Sequence, residues 1–189
     1  MKIVSMLNVG VCMALLCCST TSLADDVSVE DFVGKVSAMN VAEIESGKLA
    51  LEKSSSMDVK GYARKMIGEH SSLNNELRIL ASKKNMEIED EASMSDKTKK
   101  FILEQRDGNS FDEAYADNEI KAHEDAIVLY KKGAKSADTA VRAFAVSGLL
   151  KIERHLELVK ALSFKSTSAP KTTKIYNSYS SSNRVSTVN

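Results

Sequence analysis

The chain has 189 residues, with 26 basic and 26 acidic side chains and therefore no net charge at pH 7 when its histidines are neutral. That balance excludes the overall basic excess of a nucleic-acid binder, and a 43% hydrophobic content excludes a chain too polar to build a core. All three cysteines (Cys12, Cys17, Cys18) stand before residue 19. The rest of the chain can form neither a disulfide nor a thiolate metal site, so any metal there is held by nitrogen and oxygen.

Residues 1–24 start with Lys2, continue as an apolar run from Ile3 to about Cys18, and end in Ser22-Leu23-Ala24 ahead of Asp25-Asp26. A positive start, a short apolar stretch and small residues one and three positions before a cut describe a secretory signal peptide, cleaved after Ala24 to release a periplasmic protein. Ser5 and Asn8 interrupt the run too much for a comfortable membrane span. The rival reading is a lipoprotein anchored at Cys18. Against it, Cys17 stands where a lipobox usually has Gly, Ala or Ser.

Residues 25–163 hold 21 basic residues against all 26 acidic ones, a net of −5, and are long enough to bury one hydrophobic core. With no proline and few glycines, this stretch reads as nearly all helix. The first helix starts near Ser28, which caps it with Asp31 three residues on, and runs to about Lys53. Ser54-Ser55-Ser56 breaks it and caps a second, from about Asp58 to Lys84. A polar stretch, Asn85 to Ser95, leads to a short helix from Asp96 to Arg106 and a turn at Asp107-Gly108-Asn109. Ser110 and Glu113 read as a capping box for the next long helix, to about Lys135. Asp138 caps the last, Thr139 to Leu162. The expected fold is all-α, a four-helix bundle made of two hairpins joined by a crossover that carries a short extra helix. Residues 164–189, with four basic residues, no acid, the only proline and many Ser, Thr and Asn, read as a disordered basic tail.

The three histidines of the chain each fall on the apolar seam of a different long helix. The seams read Val59, Ala63, Met66, His70, Leu73, Leu77, Leu80, then Ala116, Ile120, His123, Ile127, Tyr130, then Val141, Ala145, Gly148, Ile152, His155, Val159, Leu162. Alternating spacings of three and four keep side chains on one face, and an apolar face is the one that is buried. A buried imidazole left without a partner costs on the order of 1–3 kcal/mol. The first helix adds one acid, Glu43, in the stripe Phe32, Val36, Met39, Glu43, Gly47, Ala50. Counted from turns near Ser55 and Ser136, Glu43, His70 and His123 lie at similar depths, and His155 lies about a helical turn further.

Bundle cores build metal sites from inward side chains on facing helices. Three imidazoles and a carboxylate suit one divalent transition metal, namely zinc, copper or iron. Two other readings stay open: a buried polar network without an ion, and a register slip that sends Glu43 to the surface beside Glu45. Glu69, Glu119 and Glu124 read as solvated, with Glu119, one turn before His123, placed to orient that ring.

The segments Met39-Asn40-x-x-Glu43-Ile44-x-x-Gly47-x-Leu49-Ala50, Val59-Lys60-x-x-Ala63-x-x-Met66-Ile67-x-Glu69-His70-x-x-x-Asn74-x-x-Leu77, Phe111-Asp112-x-x-Tyr115 with His123, and Leu149-x-x-Ile152-x-x-His155-Leu156 together resemble the bacterial domain-of-unknown-function family 4142. The resemblance spans roughly residues 30–162. It implies an exported protein with a ferritin-like bundle and polar core positions at Glu43, His70, His123 and His155, and it implies no settled activity. Di-iron bundles of the ferritin-like kind place Glu three residues before a ligating His. Here those positions are Ile67, Ile120 and Ile152, which disfavours a pair of carboxylate-bridged metals.

Two function classes follow. One is a small periplasmic metal-binding protein that buffers metal or contributes to stress tolerance. The other is an interaction module or inhibitor that meets a protein partner, or a second copy, through its acidic helices or crossover. No nucleophile–base pair, phosphate loop or paired catalytic carboxylates is readable, which makes an enzyme the third choice.

Overall fold

The computed structural model describes residues 27–168, with side chains to residue 162. The expected leader, Cys18 included, and the tail from residue 169 lie outside the described residues. Five helices follow in order: α1 (Val29–Lys53), α2 (Met57–Ser82), α3 (Met94–Glu104), α4 (Gly108–Gly133) and α5 (Thr139–Ser168). The fold is all-α.

Local chemistry sets most of the boundaries. The Ser28 hydroxyl accepts from the Asp31 amide at 3.0 Å and opens α1. Ser56 caps α2 through the Val59 amide, and Ser54 turns the chain between them by accepting from the Ser56 amide at 3.0 Å. Asn85, in the left-handed region at φ 54°, ends the turn that follows α2. Asp138 accepts from the amides of Ala140 and Val141, both at 3.0 Å, to start α5.

Several boundaries shift by one or two residues, α3 for instance running Met94–Glu104 under a Ser93 cap rather than Asp96 to Arg106, and two departures have an identifiable cause. The capping box at Ser110 and Glu113 does not start α4, which begins two residues earlier at Gly108 with Asp107 in the cap position. The Asp107 carboxylate does not cap either, because Lys53 at the end of α1 holds it at 3.0 Å. The last helix continues to Ser168 rather than stopping at Leu162. Nothing from Ser163 to Ser168 breaks a helix.

α1 packs on α2 and α4 on α5, giving two antiparallel hairpins; α1 also packs on α4, and α2 on α5. Lys53 at the end of α1 meets Asp107 at the head of α4, and Phe32 near the start of α1 meets Gly133 at the end of α4. The crossover therefore runs the length of the bundle, with α3 lying against α1 and α4. Along the way the Glu89 amide donates to Ser37 Oγ at 2.8 Å, and Lys84 pairs with Asp138.

The core has two apolar halves. One gathers Phe32, Val36, Leu73, Leu77, Tyr130, Phe144 and Ile152, the other Ala50, Met66, Phe111, Tyr115, Leu156 and Val159. Two glycines allow the helices to close: a Cβ on Gly133 would lie 2.3 Å from the Phe32 ring, and one on Gly148 2.2 Å from the Tyr130 ring. Between the two halves lies a layer of buried polar residues, Asn40, Glu43, His70, Glu119, His123 and His155.

Candidate metal centre

Each member of the layer is set by helix periodicity. His70 stands in the seam Ala63, Met66, His70, Leu73, Leu77, and His155 in Ala145, Gly148, Ile152, His155, Val159, all buried as the sequence spacing requires. On α4 the seam is shifted from the expected one: Ala116, Glu119, His123, Ala126 and Tyr130 are buried, while Ile120 and Ile127 are only half-buried at its flank. On α1 Asn40 is buried and Met39 half-buried. His123 and Glu43 survive both shifts, and the shifts bring in two polar residues that the expected seams left out, Asn40 and Glu119.

The three imidazoles meet. Ring centroids lie 5.7 Å apart for His70 and His123, 5.2 Å for His70 and His155, and 5.4 Å for His123 and His155. One nitrogen from each ring lies within 4.8 Å of those of the other two. The expected offset of His155 does not occur. Tyr130 faces Gly148 and His123 faces His155, and both pairs are centred on Thr139 rather than Ser136. Helical turns persist through Ser136 and α5 starts at once after Asp138, which moves the apex of the hairpin along the chain.

Every imidazole spends one nitrogen on an acceptor that fixes its tautomer. His70 Nδ1 donates to Asn40 Oδ1 at 2.9 Å, His123 Nδ1 to the Glu119 backbone carbonyl at 2.8 Å, and His155 Nε2 to a Glu69 carboxylate oxygen at 2.5 Å. Lys65 holds the other Glu69 oxygen. The remaining nitrogens, His70 Nε2, His123 Nε2 and His155 Nδ1, are buried and have no hydrogen-bond partner among the described residues. Donation at one nitrogen leaves the other as a bare lone pair, so three lone pairs share one layer and none of them accepts a hydrogen bond from a described residue. At His70 and His155 protonation does not resolve this. Burial, and then the charges His123 and His155 would carry, push His70 well below the usual histidine range. Burial takes His155 down to about 4, outweighing the opposite pull of Glu69.

Glu43 belongs to a second set. It lies with Glu119 and His123, again with ligand atoms within 4.8 Å of one another, rather than with the three histidines. The two carboxyl groups are hydrogen-bonded to each other, and Glu119 also accepts from Ser46 at 2.9 Å and Tyr62 at 3.4 Å. One Glu43 oxygen has no partner among the described residues. Burial raises Glu43 to about 7, and burial with the neighbouring Glu43 charge raises Glu119 well above the usual carboxylate range.

Of the three glutamates read as solvated, two depart from that expectation and one keeps to it. Glu119 is not solvated, being 2% exposed, and carboxylates are paired after all. Glu69 is not idle but holds His155. Glu124 lies on the surface, paired with Lys160. The missed signal was spacing: Glu119 lies four residues before His123, and Glu69 follows Met66 and precedes His70, so both border a histidine seam.

The family model described as Domain of unknown function (DUF4142) matches residues 18–162 of the chain, well over half of its length, and the chain belongs to that family. No curated protein and no solved structure matches it.

Proposed function

We propose that this member of the DUF4142 family is an exported, periplasmic protein that binds one divalent transition metal ion through His70, His123 and His155, and serves metal buffering or stress tolerance. The observation that carries the reading is the set of three bare imidazole nitrogens, each on a ring whose other nitrogen is held by a carbonyl or carboxylate. That is how proteins hold metal-ligating histidines, with the second partner setting the tautomer and raising ligand basicity. Nitrogens bound to one ion at about 2.0–2.1 Å lie about 3–3.5 Å apart, so binding draws the three rings inward. Imidazole suits zinc, copper and iron.

Binding stabilises the folded state by about 2.7 kcal/mol at a hundredfold excess over the dissociation constant. Zinc or copper added to chelator-treated protein at pH 7 therefore raises the thermal midpoint, and His70→Ala or His123→Ala abolishes the rise. A midpoint indifferent to both metals removes the reading. Export is read from the leader: the exported protein should show the intact mass of a chain beginning at Asp25, and a lipid-modified Cys18 at the N-terminus would overturn that.

A second reading, an interaction module, has its own support in α3, where Met94, Phe101 and Ile102 are 76%, 63% and 55% exposed. It takes over if neither metal binds. Among the described residues no helix is long and apolar enough to cross a membrane.

A further inference from the structure

The two donor sets meet at His123, and this residue has one nitrogen to give. Its Nδ1 proton is committed to the Glu119 carbonyl, which leaves the Nε2 lone pair alone, and one lone pair ligates one ion. Two ions side by side would need a bridging imidazolate, whose second nitrogen is already spoken for. The sets Glu43–Glu119–His123 and His70–His123–His155 are therefore alternative seats for a single cation. The carboxylate seat is more than a pair of acids, because one buried Glu43 oxygen in it has no partner among the described residues.

The surroundings put the seats in order. A cavity of about 50 Å³ lies between α1, α3 and α4, and Glu43, Glu119, Ser46, Asp96 and Lys100 are among the residues that line it; none of the three histidines does. A smaller cavity of about 10 Å³ has Asn40, Glu43, His70 and His123 among its lining, with apolar residues such as Val36 and Ile152 and without His155. That volume is room for a single water or a stripped ion. Glu43 borders both. α3, which covers the outer cavity, buries only Leu103 among its side chains, so little apolar packing holds it down.

We propose that Glu43, Glu119 and His123 form the entry station for a divalent first-row cation, which arrives beneath α3, exchanges water for carboxylate oxygen, and moves inward to the three histidines while His123 remains a ligand throughout. Oxygen donors suit a partly hydrated ion, and imidazoles suit the later first-row metals once its water is shed. The inference rests on the reading that the three histidines hold the ion.

Cobalt(II) is the probe, because four-coordinate nitrogen-rich cobalt absorbs more strongly in the visible than oxygen-rich cobalt of higher coordination. The full chain, stripped with chelator, is mixed with cobalt(II) in a stopped-flow spectrometer, as wild type, Glu43→Gln with Glu119→Gln, and His155→Ala. The double glutamine variant reaches the wild-type spectrum with one cobalt bound, but about tenfold or more slowly, because it lacks the carboxylate oxygens that first replace water on the ion. His155→Ala, which lacks the inner seat, still binds one cobalt, with the weaker oxygen-rich spectrum. Loading of the double variant at the wild-type rate overturns the entry station, as does its failure to load at all, which would make the carboxylates part of the final site. A His155→Ala protein that binds no cobalt also overturns it. If wild type binds no cobalt, the three-histidine reading fails and takes this one with it; if wild type binds but ignores the carboxylates, only the entry station falls. Circular dichroism of the stripped variants checks the fold, and single Glu119→Gln repeats the kinetic test should the double variant not fold.

Discussion

Glu43 and His155 belong to the same buried layer, and pH acts on them in opposite senses. The Glu43 carboxyl is raised by burial from 4.5 to about 7, so the folded state keeps a proton that the unfolded chain has lost. Its contribution to stability is complete below pH 4.5 and is lost as pH rises through about 7. His155 is lowered from 6.5 to about 4, so its contribution is complete above pH 6.5 and is lost as pH falls through about 4. For chelator-treated protein, Glu43→Gln removes the first effect. It should stabilise the fold at pH 8 by up to about 3 kcal/mol, the free energy of a shift of this size, and steepen the loss of stability between pH 6 and 4. Urea midpoints across that range check both, and a variant no more stable than wild type at pH 8 would contradict the burial of an ionisable carboxylate. At this scale the sequence was legible where a polar residue interrupts an otherwise apolar seam, as His70 and His155 do. It was not legible for Asn40 and Glu119. Hydrophobicity placed Met39, Ile120 and Ile127 in the seams, whereas a satisfied polar group can hold a central position and move an isoleucine to its flank.

The helices themselves were readable because capping and turn chemistry are local. Ser28, Ser56 and Asp138 act through amides two or three residues on, which a linear reading can see. The start of α4 was not readable, since Asp107 is held by Lys53 from another helix. The depth of His155 was also missed, because the apex of a hairpin depends on how far helical turns persist into the connection. Helix pairing now makes predictions that composition alone would get wrong. An exposed helical glycine replaced by alanine ordinarily gains about 0.5–1 kcal/mol. Gly68, with nothing within 4 Å of an added Cβ, should follow that rule as Gly68→Ala. Gly148→Ala should do the reverse, losing about 1–3 kcal/mol as the methyl meets the Tyr130 ring. Thermal unfolding of the two variants side by side decides it, and a stabilised Gly148→Ala would mean that α4 and α5 pack less closely.

Across the whole molecule, both ends of the bundle are tied by ion pairs that span different helices or connections, Lys53 with Asp107 and Lys84 with Asp138. Pairs this exposed are worth about 0–1 kcal/mol each, so cohesion rests on the two apolar halves and on the layer between them. The architecture of two hairpins and a long crossover was legible from loop lengths, because short connections make antiparallel neighbours. How the hairpins face each other was not, since that depends on side chains far apart in the chain. The layer is shared between them: Asn40, Glu43 and His70 come from the first hairpin, and Glu119, His123 and His155 from the second. Neither hairpin alone carries a complete donor set. A protease cut in the exposed stretch of crossover at Glu89–Glu91 would leave two helical halves joined only by their faces. In size-exclusion chromatography under mild denaturant those halves should part when stripped and co-elute with zinc present. If they do, the ion is a reversible clasp, and the protein a heterodimer that is made as a single chain.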